Sequence, residues 1–198
     1  MSNASTVRRQ VGGTQQLTIA SLPYATYTGT ATAFQLNNNG LTLTGGGVIP
    51  LSAGVTGLYA GTGQVLHVAA TGTVTGATAA TSTLILSLYQ VSAAKLPIAD
   101  TLAGAQTFGT GWNVIKTSST RTLATVQSSW SIDARLQLDA QGNLDGQATD
   151  TINSQTDVYA AITAITGLVG EADLNFVVVA TLTTAGTVFM DEFRLDLE

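Results

Sequence analysis

The side chains that most often carry out chemistry are scarce in this chain. Among its 198 residues there is one histidine, His67, and there is no cysteine. His67 therefore has no second histidine or thiolate with which to form a familiar transition-metal site. The chain also lacks the G-x-S-x-G sequence that accompanies many nucleophilic serines. Because His67 lies between Leu66 and Val68 in a predicted strand, we expect a surface-facing or hydrogen-bonded histidine and not a catalytic base.

Paired carboxylates are the second route to catalysis, as in glycoside hydrolysis. Asp191 and Glu192 are adjacent in a predicted strand, so they should face opposite sides of a sheet. The remaining candidates lie on or beside one predicted hairpin: Asp133, Asp139, Asp145 and Asp150. Catalytic clefts are usually rimmed with aromatic residues, and this hairpin offers only Trp130. We expect solvated carboxylates, no catalytic residues and no enzyme activity.

Calcium is the remaining candidate ligand, because it requires only oxygen atoms. The segment from Asp139 to Asp145 places oxygen-bearing side chains at alternate positions around Gly142. It lacks the downstream glutamate of an EF-hand loop and suits a hairpin turn better. The run Gly45-Gly46-Gly47 lacks the Lys-Ser/Thr pair and the following helix of a phosphate-binding loop. We expect no metal site and no cofactor.

Charge and hydropathy exclude two classes of partner. The net charge is −5, with seven lysine and arginine residues scattered along the chain, so we expect no nucleic-acid surface. The one basic pair, Arg8-Arg9, lies near the N-terminus, where it is a candidate contact to a partner protein. The first 20 residues contain no apolar run typical of a signal peptide. No stretch approaches the ~18 apolar residues of a membrane-spanning helix, so we expect no membrane partner.

These residues must be positioned by strands, since alternation of apolar and polar residues recurs along the chain. In the clearest case Trp130, Ile132, Ala134, Leu136 and Leu138 alternate with polar residues, and a short loop then returns the chain. The predicted strands are Ala25–Leu36, Leu41–Thr44, Gln64–Val74, Thr83–Val91, Trp112–Lys116, Trp130–Leu138, Leu144–Ile152, Val158–Leu168, Asn175–Thr183 and Thr187–Leu197. The short segment Pro97–Ala105 is long enough for one helical turn.

The number and spacing of these strands predict an all-β, jelly-roll-like sandwich of two antiparallel sheets. A Greek-key barrel is the structural alternative. Residues 1–22 show no strand or helix periodicity and are predicted to form an extended N-terminal arm, while residues 23–198 form the sandwich domain. Asn175–Thr183 is almost continuously apolar and should be covered on both faces. In the last strand we expect the core to receive Phe189, Phe193, Leu195 and Leu197.

The closing stretch, NFVVVATLT from Asn175 followed by TVFMDEFRLDLE from Thr187, resembles the last two strands of jelly-roll carbohydrate-binding modules. The same sandwich recurs in structural proteins of tailed-bacteriophage virions, including head decoration proteins and domains of tail fibres. The whole chain is similar to those virion proteins in its polar N-terminal segment, its Thr/Ala/Gly-rich strands and its few charges. An aromatic platform of the kind that binds sugars would require several exposed aromatic residues, and the chain has two tryptophans.

The resemblance to virion proteins implies a capsid decoration or minor capsid protein on the virion surface, whose partner is the major capsid protein. Arg8 and Arg9 are then the expected partner contacts. Because only 10% of the residues are charged, we expect a homo-oligomer or many copies on a shell. The alternative is a carbohydrate- or receptor-binding module of a tail fibre or cell surface. Its expected ligand-binding residues are Trp112, Tyr24, Tyr27 and Tyr59.

Overall fold

The computed structural model describes the backbone of most of the strands and the side chains of the central and C-terminal ones. The described residues are 7–11, 14–22, 25–29, 33–35, 49–52, 65–76, 82–91, 111–139, 141–166, 168, 173–182 and 186–197. Side chains are described from residue 65 onward, except those of residues 173–175 and 197. This part of the chain is all-β and contains no helix long and apolar enough to cross a membrane.

The strands form two antiparallel sheets. The larger sheet has nine strands: β1 Val7–Val11, β2 Thr14–Leu22, β3 Ala25–Gly29, β6 Leu66–Gly76, β10 Ser128–Leu138, β11 Leu144–Ile152, β12 Gln155–Thr156, β13 Ala160–Ala161 and β15 Gly186–Leu197. The smaller sheet has six: β4 Ala33–Gln35, β5 Ile49–Ser52, β7 Thr83–Val91, β8 Trp112–Thr117, β9 Arg121–Thr122 and β14 Asp173–Leu182.

The order of the strands confirms the predicted jelly roll. The larger sheet contains the run β2-β15-β6-β10, and the smaller sheet contains β14-β7-β8 with both β4 and β5 paired to the other edge of β14. The chain crosses repeatedly from one sheet to the other, and its last two strands, β14 and β15, lie inside the smaller and the larger sheet, as in a jelly roll. The hairpin β10–β11 extends the larger sheet beyond this arrangement.

The core between the sheets follows the alternation read from the sequence. Trp130, Ile132, Ala134 and Leu136 of β10 are buried, as predicted. They pack in one apolar cluster with Leu84, Leu86 and Leu88, which occupy alternate positions of β7. Burial of these side chains is the main favourable contribution to folding, at about 1.5–3 kcal/mol for each large apolar residue.

Strand β14 is covered on both faces, as its continuous apolar run predicted. Phe176 and Val178 enter the main core. Val177 and Val179 point to the other side and pack with Tyr89 and Val91 in a second cluster, on the outer face of the smaller sheet. Two covered faces remove the need for polar residues at alternate positions.

The prediction of which β15 side chains face the core is correct for the C-terminal half of the strand and wrong for the N-terminal half. Phe193 and Leu195 are buried as expected, but Val188 and Met190 are the core residues of the first half, and Phe189 lies on the opposite face. The cause is a register shift between Met190 and Glu192, where β15 carries one more residue than the neighbouring strand β6. Such a bulge reverses the inward and outward positions that follow it.

The same bulge affects the adjacent acidic pair. Asp191 and Glu192 were expected on opposite faces of a regular strand, but both side chains are exposed. The two carboxylates are therefore surface groups at an irregular position of the larger sheet. The side chain of Leu197 lies outside the described residues.

Other predicted segments also differ from the structure, and the predicted strand Ala25–Leu36 is divided between β3 in the larger sheet and β4 in the smaller sheet. Residues 1–22 were expected to form an arm without strands, but Val7–Val11 and Thr14–Leu22 pair with each other, and β2 continues the larger sheet through β15. Val158–Leu168 was expected to form one strand, but among its described residues the pairing with β11 is limited to Ala160–Ala161 and an isolated bridge at Ile165. The predicted segments Leu41–Thr44 and Pro97–Ala105 lie outside the described residues.

Candidate functional site: a cleft at the edge of the sandwich

A cleft of about 560 Å³ opens along one edge of the sandwich. Its two walls are β8 of the smaller sheet and the segment 160–166, which borders the larger sheet. The lining residues are Trp112, Asn113, Val114, Ile115, Lys116, Thr117, Ala148, Ala160, Ala161, Ile162, Thr163, Ala164, Ile165 and Thr166. Its volume lies within the range of small-molecule sites, and its lining combines small apolar residues with threonine, asparagine and lysine.

The position of the cleft follows from the sheet order. β8 is the last strand of the smaller sheet, and it pairs with β7 along one side only among the described residues. On the larger sheet, β11 is bordered by Ala160–Ala161 and by the bridge between Leu144 and Ile165. The cleft thus lies between β8 and the segment that borders β11.

Trp112 forms one end of the cleft. Its ring meets the ring of Tyr89 edge-on, with centroids 5.6 Å apart and an interplanar angle of 86°. This is a favourable aromatic geometry, and it packs the half-buried indole against the outer cluster of β7 and β14. Burial raises the pKa of the Tyr89 hydroxyl. Trp112 is therefore held by its neighbours while it lines the cleft.

Lys116 lies farther along the same wall, and a bulge brings it there. The register between β7 and β8 shifts so that Leu88 pairs with Lys116 while Tyr89 pairs with Val114, leaving Ile115 as the extra residue. Lys116 consequently shares the inward-facing side with Leu88. Its Nζ atom lies 3.1 Å from Oδ1 of Asp150 in β11 and 3.6 Å from Oδ2 of Asp157. The ion pair with Asp150 joins the two sheets.

Asp157 is fixed by several partners. It accepts hydrogen bonds from the Ser119 backbone N–H at 3.0 Å and from the Ser119 hydroxyl at 3.3 Å, and it forms an ion pair with Arg121. These contacts, with the Ser119 N–H the most important, lower the pKa of Asp157. Burial has the opposite effect on Asp150 and raises its pKa. The two carboxyl groups beside Lys116 therefore differ in their affinity for a proton.

His67 lies on the outer face of the larger sheet, as a hydrogen-bonded strand residue, which confirms the expectation. Its Nε2 contacts Oδ2 of Asp133, whose other oxygen accepts a hydrogen bond from the Tyr159 hydroxyl. Burial favours a higher pKa for Asp133, but the bonds from His67 and Tyr159 outweigh it and lower that pKa. Burial and the Asp133 carboxylate raise the pKa of Tyr159 to about 12, so the phenol is a neutral donor.

In the candidate calcium loop, the carboxylate of Asp139 accepts hydrogen bonds from within the turn. Asp139 accepts hydrogen bonds from the backbone N–H groups of Gln141 and Asn143, both at 2.8 Å, and from the Asn143 side chain at 2.9 Å. The Asn143 N–H contributes most to a lowered pKa of Asp139. Within the described ranges no three His, Cys, Asp or Glu side chains are grouped to hold a metal ion.

The structure places the predicted binding residues in separate locations. Arg8 and Arg9 lie in β1, and Tyr27 lies in β3, but the side chains of all three are outside the described residues. Tyr24 and Tyr59 also lie outside them. Trp112, whose side chain is described, lines the cleft.

Sequence reasoning missed the grouping of Lys116, Asp150 and Asp157. One signal was present: Ala148, Asp150 and Ile152 occupy alternate positions of β11, so an aspartate stands among residues of the inward-facing side. A charged residue on the inward-facing side of a strand indicates a partner of opposite charge inside the protein. The partner itself is distant in sequence, and nothing in its own neighbourhood points to Asp150.

Comparison with known proteins gives little further information. No protein-family model matches the chain, and no curated protein matches it. Among solved structures, the endo-β-1,4-glucuronan lyase of the fungus Trichoderma reesei is similar at a TM-score of 0.36 and 9% sequence identity, over 98% of this chain and 87% of the lyase chain. Similarity at this level bears on neither the activity nor the ligand of this protein.

Proposed function

We propose that the chain is a structural protein of a bacteriophage particle, a decoration or minor capsid protein that binds neighbouring major-capsid subunits. The observation that carries the proposal is that β8, among the described residues, pairs with a neighbouring strand on one side only. Val114, in the middle of this strand, is 47% exposed, and Val158 and Tyr159 are exposed on the chain that leads to the opposite wall of the cleft. Exposed strand edges with apolar side chains are prone to pair with other chains unless they are blocked.

A binding role without catalysis is supported by the described ionisable groups. His67 is engaged with Asp133, and Lys116 with Asp150 and Asp157. Each of these contacts joins two different strands or segments and so contributes to the architecture of the sandwich. Tyr159 keeps its proton at neutral pH because its pKa is about 12, so it is unsuited to act as a general base.

Many copies on the capsid surface, or a homo-oligomer bound there, agree with the low charge of the chain. Protein surfaces that remain exposed to solvent are usually richer in charged residues than this composition allows. The partner in this proposal is a protein, and neither nucleic acid nor membrane takes part.

Co-sedimentation of the purified chain with capsids of the bacteriophage that encodes it tests the proposal. We expect the unaltered chain to bind and Val114→Lys to bind about tenfold more weakly, because a lysine on an edge strand opposes pairing. Val126→Lys is the matched control, since Val126 is 72% exposed and does not line the cleft. If the unaltered chain does not bind capsids, the proposal is rejected.

The proposed partner contacts of Arg8 and Arg9 are tested by substitution and not by truncation. Removing residues 1–20 would delete β1 and most of β2, and β2 pairs with β15 inside the larger sheet. Arg8→Ala combined with Arg9→Ala leaves the backbone pairing possible. Weaker capsid binding of this double variant supports the partner-contact role, and unchanged binding rejects it.

A carbohydrate-binding module is the second candidate function, and the position of Trp112 favours it. An aromatic ring held at the end of a cleft lined with Thr, Asn and Lys side chains suits stacking on a sugar ring with polar contacts around it. A glycan array tests this function. Reproducible binding that Trp112→Ala abolishes and Val126→Ala preserves would support it, and absence of binding to any glycan would reject it.

A further inference from the structure

Lys116 and Asp150 form an ion pair with an unusual environment. The side chain of Asp150 is 0% exposed and that of Lys116 is 14% exposed. Asp150 lies between Ala148 and Ile152 on the inward face of β11 and pairs across the hairpin with Ile132, and these three neighbours are buried and apolar. Removing two opposite charges from water in this way costs several kcal/mol for each ion before their attraction is counted.

The ion pair is poorly satisfied by hydrogen bonds. Lys116 Nζ lies 3.1 Å from Oδ1 of Asp150, and beyond this contact neither carboxyl oxygen of Asp150 has a hydrogen-bond partner among the described residues. Buried polar atoms are nearly always hydrogen bonded, and an exception in a folded protein calls for a physical explanation. The charge of the Asp150 carboxylate is therefore balanced mainly by the contact with Lys116.

Asp157 places a second carboxyl group against the same amine. Its Oδ2 lies 3.6 Å from Lys116 Nζ, and its backbone N–H donates a hydrogen bond of 3.0 Å to the backbone carbonyl of Asp150. Ser119 and Arg121 hold its carboxylate from the other side. An amine, a buried carboxyl group and an ionised carboxylate are thus held together by separate strands.

We propose that Lys116 and Asp150 condense to an amide, an isopeptide cross-link that ties β8 of the smaller sheet to β11 of the larger sheet. Asp157 transfers the protons. The link joins residues from opposite sheets at the edge of the sandwich, beside the cleft. It converts two buried charges into one neutral amide.

The reaction balances without an external reagent. Proton transfer within the ion pair gives a neutral amine and a neutral Asp150 carboxylic acid. The Nζ lone pair attacks Cγ of Asp150, and Asp157 accepts one proton from the attacking nitrogen. Asp157 returns that proton to the hydroxyl group of Asp150, the C–O bond breaks, and one water molecule leaves. No group is oxidised or reduced, and Asp157 ends as the carboxylate with which it began.

Two physical effects favour this condensation. Holding the reacting groups in contact replaces an encounter in solution, and well-oriented intramolecular reactions reach effective concentrations of about 10⁵–10⁸ M. The buried position of Asp150 among apolar residues favours its neutral acid form. The directions of the pKa shifts agree, because burial raises the pKa of Asp150 while the Ser119 N–H helps to keep Asp157 ionised.

Mass spectrometry of the purified full-length chain under denaturing conditions tests the proposal. We expect an intact mass lower than the sequence mass by one water molecule. We also expect trypsin not to cleave after Lys116, and a branched peptide that joins the Lys116 and Asp150 regions. The full sequence mass with cleavage after Lys116 would overturn the proposal, and so would a loss of water located at Asp145-Gly146, where a succinimide can form.

The chain offers a matched pair of variants, because its two lysines are Lys95 and Lys116. Lys116→Arg keeps a positive charge near Asp150 but cannot form the amide, so it should have the full mass, whereas Lys95→Arg should keep the loss of water. Asp157→Asn should slow the appearance of the cross-link about a hundredfold or more, since general acid–base catalysis typically contributes ~10²–10⁴-fold. Formation in Asp157→Asn at the unaltered rate would reject the role of Asp157. If Lys116→Arg fails to fold, peptide mapping of the unaltered chain still decides whether the link exists.

Discussion

The indole N–H of Trp130 lies 3.1 Å from the backbone carbonyl oxygen of Phe189 and is shared with the carbonyl of Thr73 at 3.2 Å. Trp130 belongs to β10 and Phe189 to β15, and the two strands are separated by β6. The bond is possible because the residue between them, Gly72, pairs with both Trp130 and Met190. It lies immediately before the bulge of β15, so a buried side-chain donor supports the sheet where its regular pairing is interrupted.

Gly72→Ala should destabilise the protein, because there is no space for a Cβ atom. At Gly72 that atom would lie 1.9 Å from the Phe189 carbonyl oxygen and 2.7 Å from Cζ2 of Trp130. We expect a loss of about 1–3 kcal/mol or more in the free energy of unfolding, measured by urea denaturation. Thr71→Ala is the control, since Thr71 is an exposed residue of the same strand. Equal stability of the two variants would contradict the close approach described here.

Trp130→Phe tests how much the indole hydrogen bond, as distinct from the packing of the aromatic ring, contributes to stability. Phenylalanine keeps an aromatic ring in the core but leaves the carbonyls of Phe189 and Thr73 without the indole donor. We expect a loss of about 1–3 kcal/mol from the missing bond and the smaller ring, and a loss of about 3–5 kcal/mol for Trp130→Ala. Chemical denaturation of each variant measures its loss in the free energy of unfolding. If Trp130→Phe were as stable as the unaltered chain, the indole N–H would have no structural role.

Asp139 should make folding stability depend on pH in the acid range. Hydrogen bonds from Asn143, Gln141 and Gly142 lower its pKa in the folded chain below the value of about 3.9 found in unfolded peptides. A lowered folded pKa gives stability that is present above the unfolded pKa and is lost as pH falls through the folded pKa. Asp139→Asn should therefore be less stable at neutral pH and lose less stability on acidification.

The measurement for Asp139 is urea denaturation at several pH values between neutrality and the acid limit of folding. Asp145→Asn is the control, because Asp145 is an exposed carboxylate of the same hairpin. A difference between Asp139→Asn and the unaltered chain that is constant with pH would show that the carboxylate charge of Asp139 contributes nothing to the turn.

The outer face of the smaller sheet should be as sensitive to a polar substitution as the core. Val177 faces that outer cluster and Val178 faces the core, and both are fully buried. Valine to threonine preserves the shape but buries a hydroxyl, so each of Val177→Thr and Val178→Thr should cost about 1–3 kcal/mol. Val126→Thr, at a residue that is 72% exposed, should change stability by less than about 0.5 kcal/mol. A neutral Val177→Thr would contradict the covering of this face.

The sequence by itself determined the fold class and most of the core. Alternation with a period of two residues places Trp130, Ile132 and Ala134 on one face wherever the strand is regular. The continuous apolar run of β14 predicted a central strand with two covered faces, which the structure confirms. These features are local, because each follows from the geometry of a single strand.

The tertiary structure decided the features that depend on pairing between distant segments. The bulges at Asp191 and Ile115 are register shifts between two paired strands, so the pattern of a single strand does not predict them. One bulge turns Met190 inward and Phe189 outward, and the other brings Lys116 to the inward face. Only the packing of the two sheets then places Lys116 beside Asp150 and Asp157, because an ion pair depends on distance in space and leaves no periodic signal in the chain.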